Sequence, residues 1–185
     1  MSALLRRGII QSAGGGAGED MNIVETRTET FSASLVKNVA LTVPVDLTKA
    51  AVLIHSAKLD RTDTDTGTQI VAEFLDASTL ELSRQGRTDY NVLVNFSTVE
   101  FPSAISVNFY NVDLATSASE DVSITPVDST NNRIIIFSTQ GAISPNSWSD
   151  SQSKLFEVLN DSTVRVSSGG ASGQTVKFWV VELPA

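Results

Sequence analysis

The chain has 185 residues, 41% of them hydrophobic and 18% charged, which is enough apolar material for one or two packed cores and too little charge for a chain that stays unfolded. Thirteen basic residues against twenty-one acidic ones leave a net charge of −8, so the surface as a whole repels nucleic acid and anionic head groups. With no cysteine, disulfides, thiolate nucleophiles and Cys-ligated metals are excluded.

The first twenty residues, MSALLRRGIIQSAGGGAGED, differ from everything after them. Leu4, Leu5, Ile9 and Ile10 flank Arg6 and Arg7, and the arginines leave no apolar run long enough for a signal peptide or a membrane span. The expectation is a chain made in a cytoplasm without secretion and without membrane insertion. GGGAG at 14–18 predicts a tether, so residues 1–20 read as an extended docking arm. The arm carries +2 up to Gly18, and the rest of the chain therefore carries −8 − 2 = −10.

From Met21 onward the pattern is β. Runs such as NVALTVPV, AAVLIHS, TLELS, NVLVNFSTVEF, RIIIFS, STVRVS and TVKFWVVEL are separated by Asn, Asp, Ser, Gly and Pro clusters. In two of them the alternation is strict. Leu80 and Leu82 oppose Glu81, and Val164 and Val166 oppose Arg165, as half-buried strands require. The segment SDSQSKLFEVLN at 149–160 is the one stretch that offers a short helix, with Leu155, Phe156 and Leu159 on an apolar face.

The chain also repeats itself. A shift of 82 positions places Pro44, Val45, Asp46 and Thr48 on Pro126, Val127, Asp128 and Thr130, and VNFSTVEFP at 94–102 on VKFWVVELP at 176–184. With two residues inserted between these, DASTLELS at 76–83 falls on NDSTVRVS at 160–167. The organisation is an arm at 1–20, a β-repeat at 21–102 and a second at 103–185. The fold expected is all-β, a tandem pseudo-repeat sandwich or barrel-like body with the two units packed on each other or on neighbouring copies. Val94, Phe96 and Thr98 share a strand face, as do Val176, Phe178 and Val180, and Pro102 and Pro184 end those strands. Phe96, Phe101, Phe178 and Trp179 are the expected packing residues between repeats or subunits, Trp179 in particular because its counterpart is Ser97.

Candidate chemistry is sparse. His55, the single histidine, sits in an apolar strand opposite Phe137 of the other repeat and reads as a packing residue, since catalysis would need a positioned nucleophile and an orienting acid. Asp60, Asp63 and Asp65 with Gly67 fail the spacing of a calcium loop, and the glycine run lacks the Lys-Ser or Lys-Thr ending of a phosphate loop. Neither a cofactor nor a metal is expected, and no enzyme signature is found. Tyr90 and Trp148 lie in expected loops, where exposed rings could bind a host surface glycan or a protein. The loops at 57–69, 84–90 and 139–152 differ between repeats, as contact surfaces often do.

Two motifs carry a family resemblance. STLELSR (Ser78 to Arg84) with FSTVEF (Phe96 to Phe101), and STVRVSS (Ser162 to Ser168) with FWVVEL (Phe178 to Leu183), resemble the β-repeat of tailed-bacteriophage virion proteins, in which a strand of the type STxLxLxR precedes a closing strand of the type W-x-V-V-E-F. This chain departs from the pattern at Ser97, Ser168 and Leu183, where tryptophan, arginine and phenylalanine are usual. The resemblance implies a virion component, such as a capsid decoration or a head or tail appendage. It would be a homo-oligomer with phage capsid, neck or tail proteins as partners, and a receptor- or glycan-binding appendage is the alternative within the same setting.

Overall fold

The computed structural model describes residues 21–32, 34–59, 69–85, 91–114, 119–137, 139–141, 154–168 and 175–185. The protein is all-β. Its strands are β1 (Asn22–Phe31), β2 (Val36–Ala40), β3 (Ala50–Leu59), β4 (Gln69–Asp76), β5 (Thr79–Gln85) and β6 (Val92–Glu100), then β7 (Ser106–Asp113), β8 (Ser119–Ser123), β9 (Asn132–Phe137), β10 (Thr139–Gly141), β11 (Lys154–Asn160), β12 (Thr163–Ser168) and β13 (Thr175–Leu183).

They form four antiparallel sheets, in the orders β1-β6-β3, β10-β4-β5-β2, β7-β13-β9 and β11-β12-β8. Apart from β10, the second half repeats the first element for element. In each half the closing strand, β6 or β13, is the centre of a three-stranded sheet, with Pro102 two residues beyond the end of β6 and Pro184 directly after β13.

Strict alternation in the sequence becomes one buried and one outward face. Leu80 and Leu82 are fully buried while Glu81 is not, and Val164 and Val166 are fully buried while Arg165 is half-exposed. The first core gathers Phe31, Val52, Ile70, Leu80, Leu82 and Phe96 from the facing sheets of the first unit. Leu114, Val164, Val166, Val176, Phe178 and Val180 build the second. Burial of a large aliphatic or phenyl side chain contributes about 1.5–3 kcal/mol, so each core holds its own pair of sheets.

The segment at 149–160 departs from the helical expectation. Its described part, Lys154–Asn160, is β11, paired with β12 from Lys154↔Ser168 to Asn160↔Thr163. The reason is the turn at Asp161 and Ser162: the Asn160 side chain accepts hydrogen bonds from the Ser162 N–H (2.9 Å) and hydroxyl (3.0 Å). That local bond folds the chain back on itself as a hairpin, and tertiary pairing overrides the helical spacing of Leu155, Phe156 and Leu159.

Candidate functional site

Three places in the body carry features beyond generic packing: the paired turns, the contact between the units and the outer face of the first sheet. The turns explain why the repeat is spelled as it is. In Pro44–Thr48 the Asp46 carboxylate accepts from the Thr48 N–H (2.9 Å) and hydroxyl (2.7 Å), and Asp128 does the same for Thr130 at 2.9 and 2.8 Å. The glutamate of the closing strand then holds each turn from outside. Glu100 accepts the Asp46 N–H at 2.7 Å, and Glu182 accepts the Asp128 N–H at 3.0 Å and the Asn131 amide at 2.8 Å. The Thr48 and Thr130 bonds hold both aspartate pKa values below the ordinary carboxylate range. Glu182 is lowered too, first by the Asn131 bond.

The contact between units is built by β13 and β10. Trp179 is 3% exposed, with its ring 6.1 Å from Phe74 of β4 and 5.0 Å from Phe109 of β7. Trp179, Val181 and Ile136 join the first core, whereas Phe178 and Val180 belong to the second. The closing strand of the second unit is therefore buried on both faces. Beside the tryptophan, the buried Lys177 ammonium pairs with Glu73 of β4. β10 leaves the second unit and adds to the edge of β4, from Thr139↔Val71 to Gly141↔Gln69. The region expected as a loop at 139–152 thus begins as a strand that joins the two halves.

The outer face of the first sheet is polar where the second unit is apolar. Ser97 replaces the tryptophan, and its hydroxyl shares hydrogen bonds of 2.7 Å with both Thr26 and His55 Nε2. His55 is not the packing residue its apolar neighbours suggested. It is exposed and is the extra residue of a bulge, since pairing with β6 jumps from Ile54↔Phe96 to Ser56↔Asn95. A bulge re-aims a side chain, and here it turns the imidazole onto Ser97. Ser97 is buried under this pair at 1% exposure, and the two hydrogen bonds tie β1, β3 and β6 together on this face.

Of the expected packing residues, Phe96 and Phe178 are fully buried and Phe101 is 1% exposed. Phe178 packs on Tyr110 and Phe156, with centroids 5.3 Å away in each case. The motif arginine also has a place: Arg84 is buried, with its guanidinium 5.8 Å from the centre of the Phe31 ring. Leu4, Leu5, Arg6, Arg7, Ile9, Ile10, Tyr90, Trp148 and the acidic residues at 60–65 lie outside the described residues. Among the described residues no group of three or more His, Asp or Glu could hold a metal ion, and no helix is long and apolar enough to cross a membrane. Glu73 is an inter-unit determinant that sequence reading missed. The Trp179-to-Ser97 difference was visible as a signal, whereas the Lys177 partner on a distant strand was not.

In comparison with known proteins, no family model, curated protein or solved structure matches the chain.

Proposed function

We propose that this protein is a non-enzymatic structural component of a tailed-phage virion, held in the particle by its N-terminal arm and presenting the two-unit β body outward. The observation that carries the reading is the closing strand. The motif that resembles phage virion repeats, FWVVEL, is the segment that welds the body together, through Trp179 and Val181 in one core and Phe178 and Val180 in the other. With no cysteine in the chain, the stability of this body does not depend on the redox state of its surroundings.

The arm's role is tested by deletion. Removal of residues 2–18 is expected to leave the thermal transition of the body within a few degrees of the full chain while abolishing its incorporation into particles. Normal incorporation of the truncated chain would remove the arm from this account.

A further inference from the structure

The two cores are not built alike. Among the described residues the second core takes its side chains from the second unit alone. The first core is completed from outside its own unit: Ala104, Ile136, Trp179 and Val181 are buried in it, and Val107 and Leu183 pack against it. Two further ties run the same way. β10 extends a sheet of the first unit by pairing with β4, and the Lys177 ammonium of β13 reaches Glu73 of β4.

The asymmetry follows from the closing strands. β13 is apolar on both faces, with Val176, Phe178 and Val180 in its own core and Trp179 and Val181 in the other. β6 buries Val92, Val94 and Phe96 in its own core, and on its opposite face Val99 belongs to that same core. Ser97, which stands where β13 has Trp179, is held by Thr26 and His55 within its own sheet. No described side chain of β6 reaches the second core. The second unit can therefore close its core without its neighbour, whereas the first is left open if Ile136, Trp179 and Val181 are withdrawn. A small domain buries little more than about 60% of its unfolded surface, and its stability is a small surplus, so the loss of several buried side chains exceeds what holds the first unit together.

We infer that the second unit folds by itself and is the template on which the first unit folds: the first is ordered only while the second presents β9, β10 and β13 to it, and the dependence does not run the other way. The repeat that comes first in the chain is thus the last to close. In the intact chain the two melt together, because opening the first unit bares Ile136, Trp179 and Val181 to water. The order of dependence shows when one core is broken. The inference rests on the make-up of the two cores and not on the virion reading, so either can fail without the other.

Amide hydrogen exchange of the full chain, read by mass spectrometry, tests this with variants that place a charge in one core or the other. Trp179→Asp alters a residue of the second unit, yet the damage is expected in the first. Peptides from β3, β4 and β6 should exchange as fast as an unfolded chain, while those from β12 and β13 stay slower than that by on the order of a hundredfold or more. Val166→Asp breaks the second core on β12, a strand that pairs only within its own unit, and is expected to remove protection from both units. Phe178→Asp, one residue from Trp179 on the opposite face of β13, should repeat the Val166→Asp result, and it breaks the second core if Val166→Asp leaves that core protected. A first unit that stays protected while the second is unfolded overturns the inference. So does a first unit that stays protected in Trp179→Asp, or a second unit that loses its protection in that variant.

Discussion

Glu182 shows how much one side chain holds at the residue scale. It is 7% exposed and accepts from a backbone N–H, the Asn131 amide and the Ser106 hydroxyl, so Glu182→Ala leaves several donors without their acceptor. The expected cost is about 1–3 kcal/mol, read from denaturant unfolding, with Glu182→Gln less damaging because its amide oxygen still accepts. A Gln variant as unstable as the Ala variant would contradict this geometry. Trp179 makes the second case. Trp179→Ala opens a cavity between the units and is expected to cost about 3–5 kcal/mol, a fall in Tm on the order of 10 °C for a chain of this size. A loss below about 1 kcal/mol would show that the ring is not wedged between Phe74 and Phe109. Both roles were partly legible: the repeat marked the glutamate as part of a unit, and the exchange of Ser97 for tryptophan marked an asymmetric contact. His55 was misread because apolar neighbours in sequence say nothing of a bulge, which depends on how β3 registers against β6.

At the scale of elements, the weld between units is the Lys177–Glu73 pair together with the β10 edge. Removing one partner, as in Lys177→Met, strands a largely buried charge. The cost is about 2 kcal/mol, below that of a wholly buried pair because the Glu73 side chain is 24% exposed. The double variant Lys177→Met, Glu73→Leu should recover most of the loss. Additive losses in the double-mutant cycle would mean that the two do not interact. Strands with strict alternation, such as Thr79–Gln85 and Thr163–Ser168, were readable because one face is buried and the other is not. β11 was ambiguous because Leu155, Phe156 and Leu159 satisfy a helical period as well, and only the hairpin turn at Asn160–Ser162 decides between them. β10 was hidden for another reason: Thr139–Gly141 has no apolar pattern, and it becomes a strand only through the partner it meets.

At the scale of the whole molecule, the acidic body sets how stability depends on pH. Asp46, Asp128, Asp121, Glu29 and Glu182 all have folded pKa values below the ordinary range. The causes are the Thr48 and Thr130 bonds, the Arg165 guanidinium on Asp121, the Lys37 ammonium on Glu29 and the Asn131 amide on Glu182. A carboxyl of this kind adds stability that is in place above its unfolded value, about pH 4. That stability is lost as the pH falls through the folded value. Tm is therefore expected to be level from pH 7 to about 5 and to fall steeply below about pH 4. Because β13 serves both cores, heating at neutral pH should give one cooperative transition. Two separated transitions would mean that the units unfold independently.

The virion assignment is tested most directly on tailed-phage particles whose genome encodes this chain, by immunogold electron microscopy with antibody raised against residues 21–185. Gold on the head, neck or tail of intact particles is the predicted result, and gold confined to the tail tip would point to receptor binding as the body's task. Particles that carry no gold at any position would contradict the assignment.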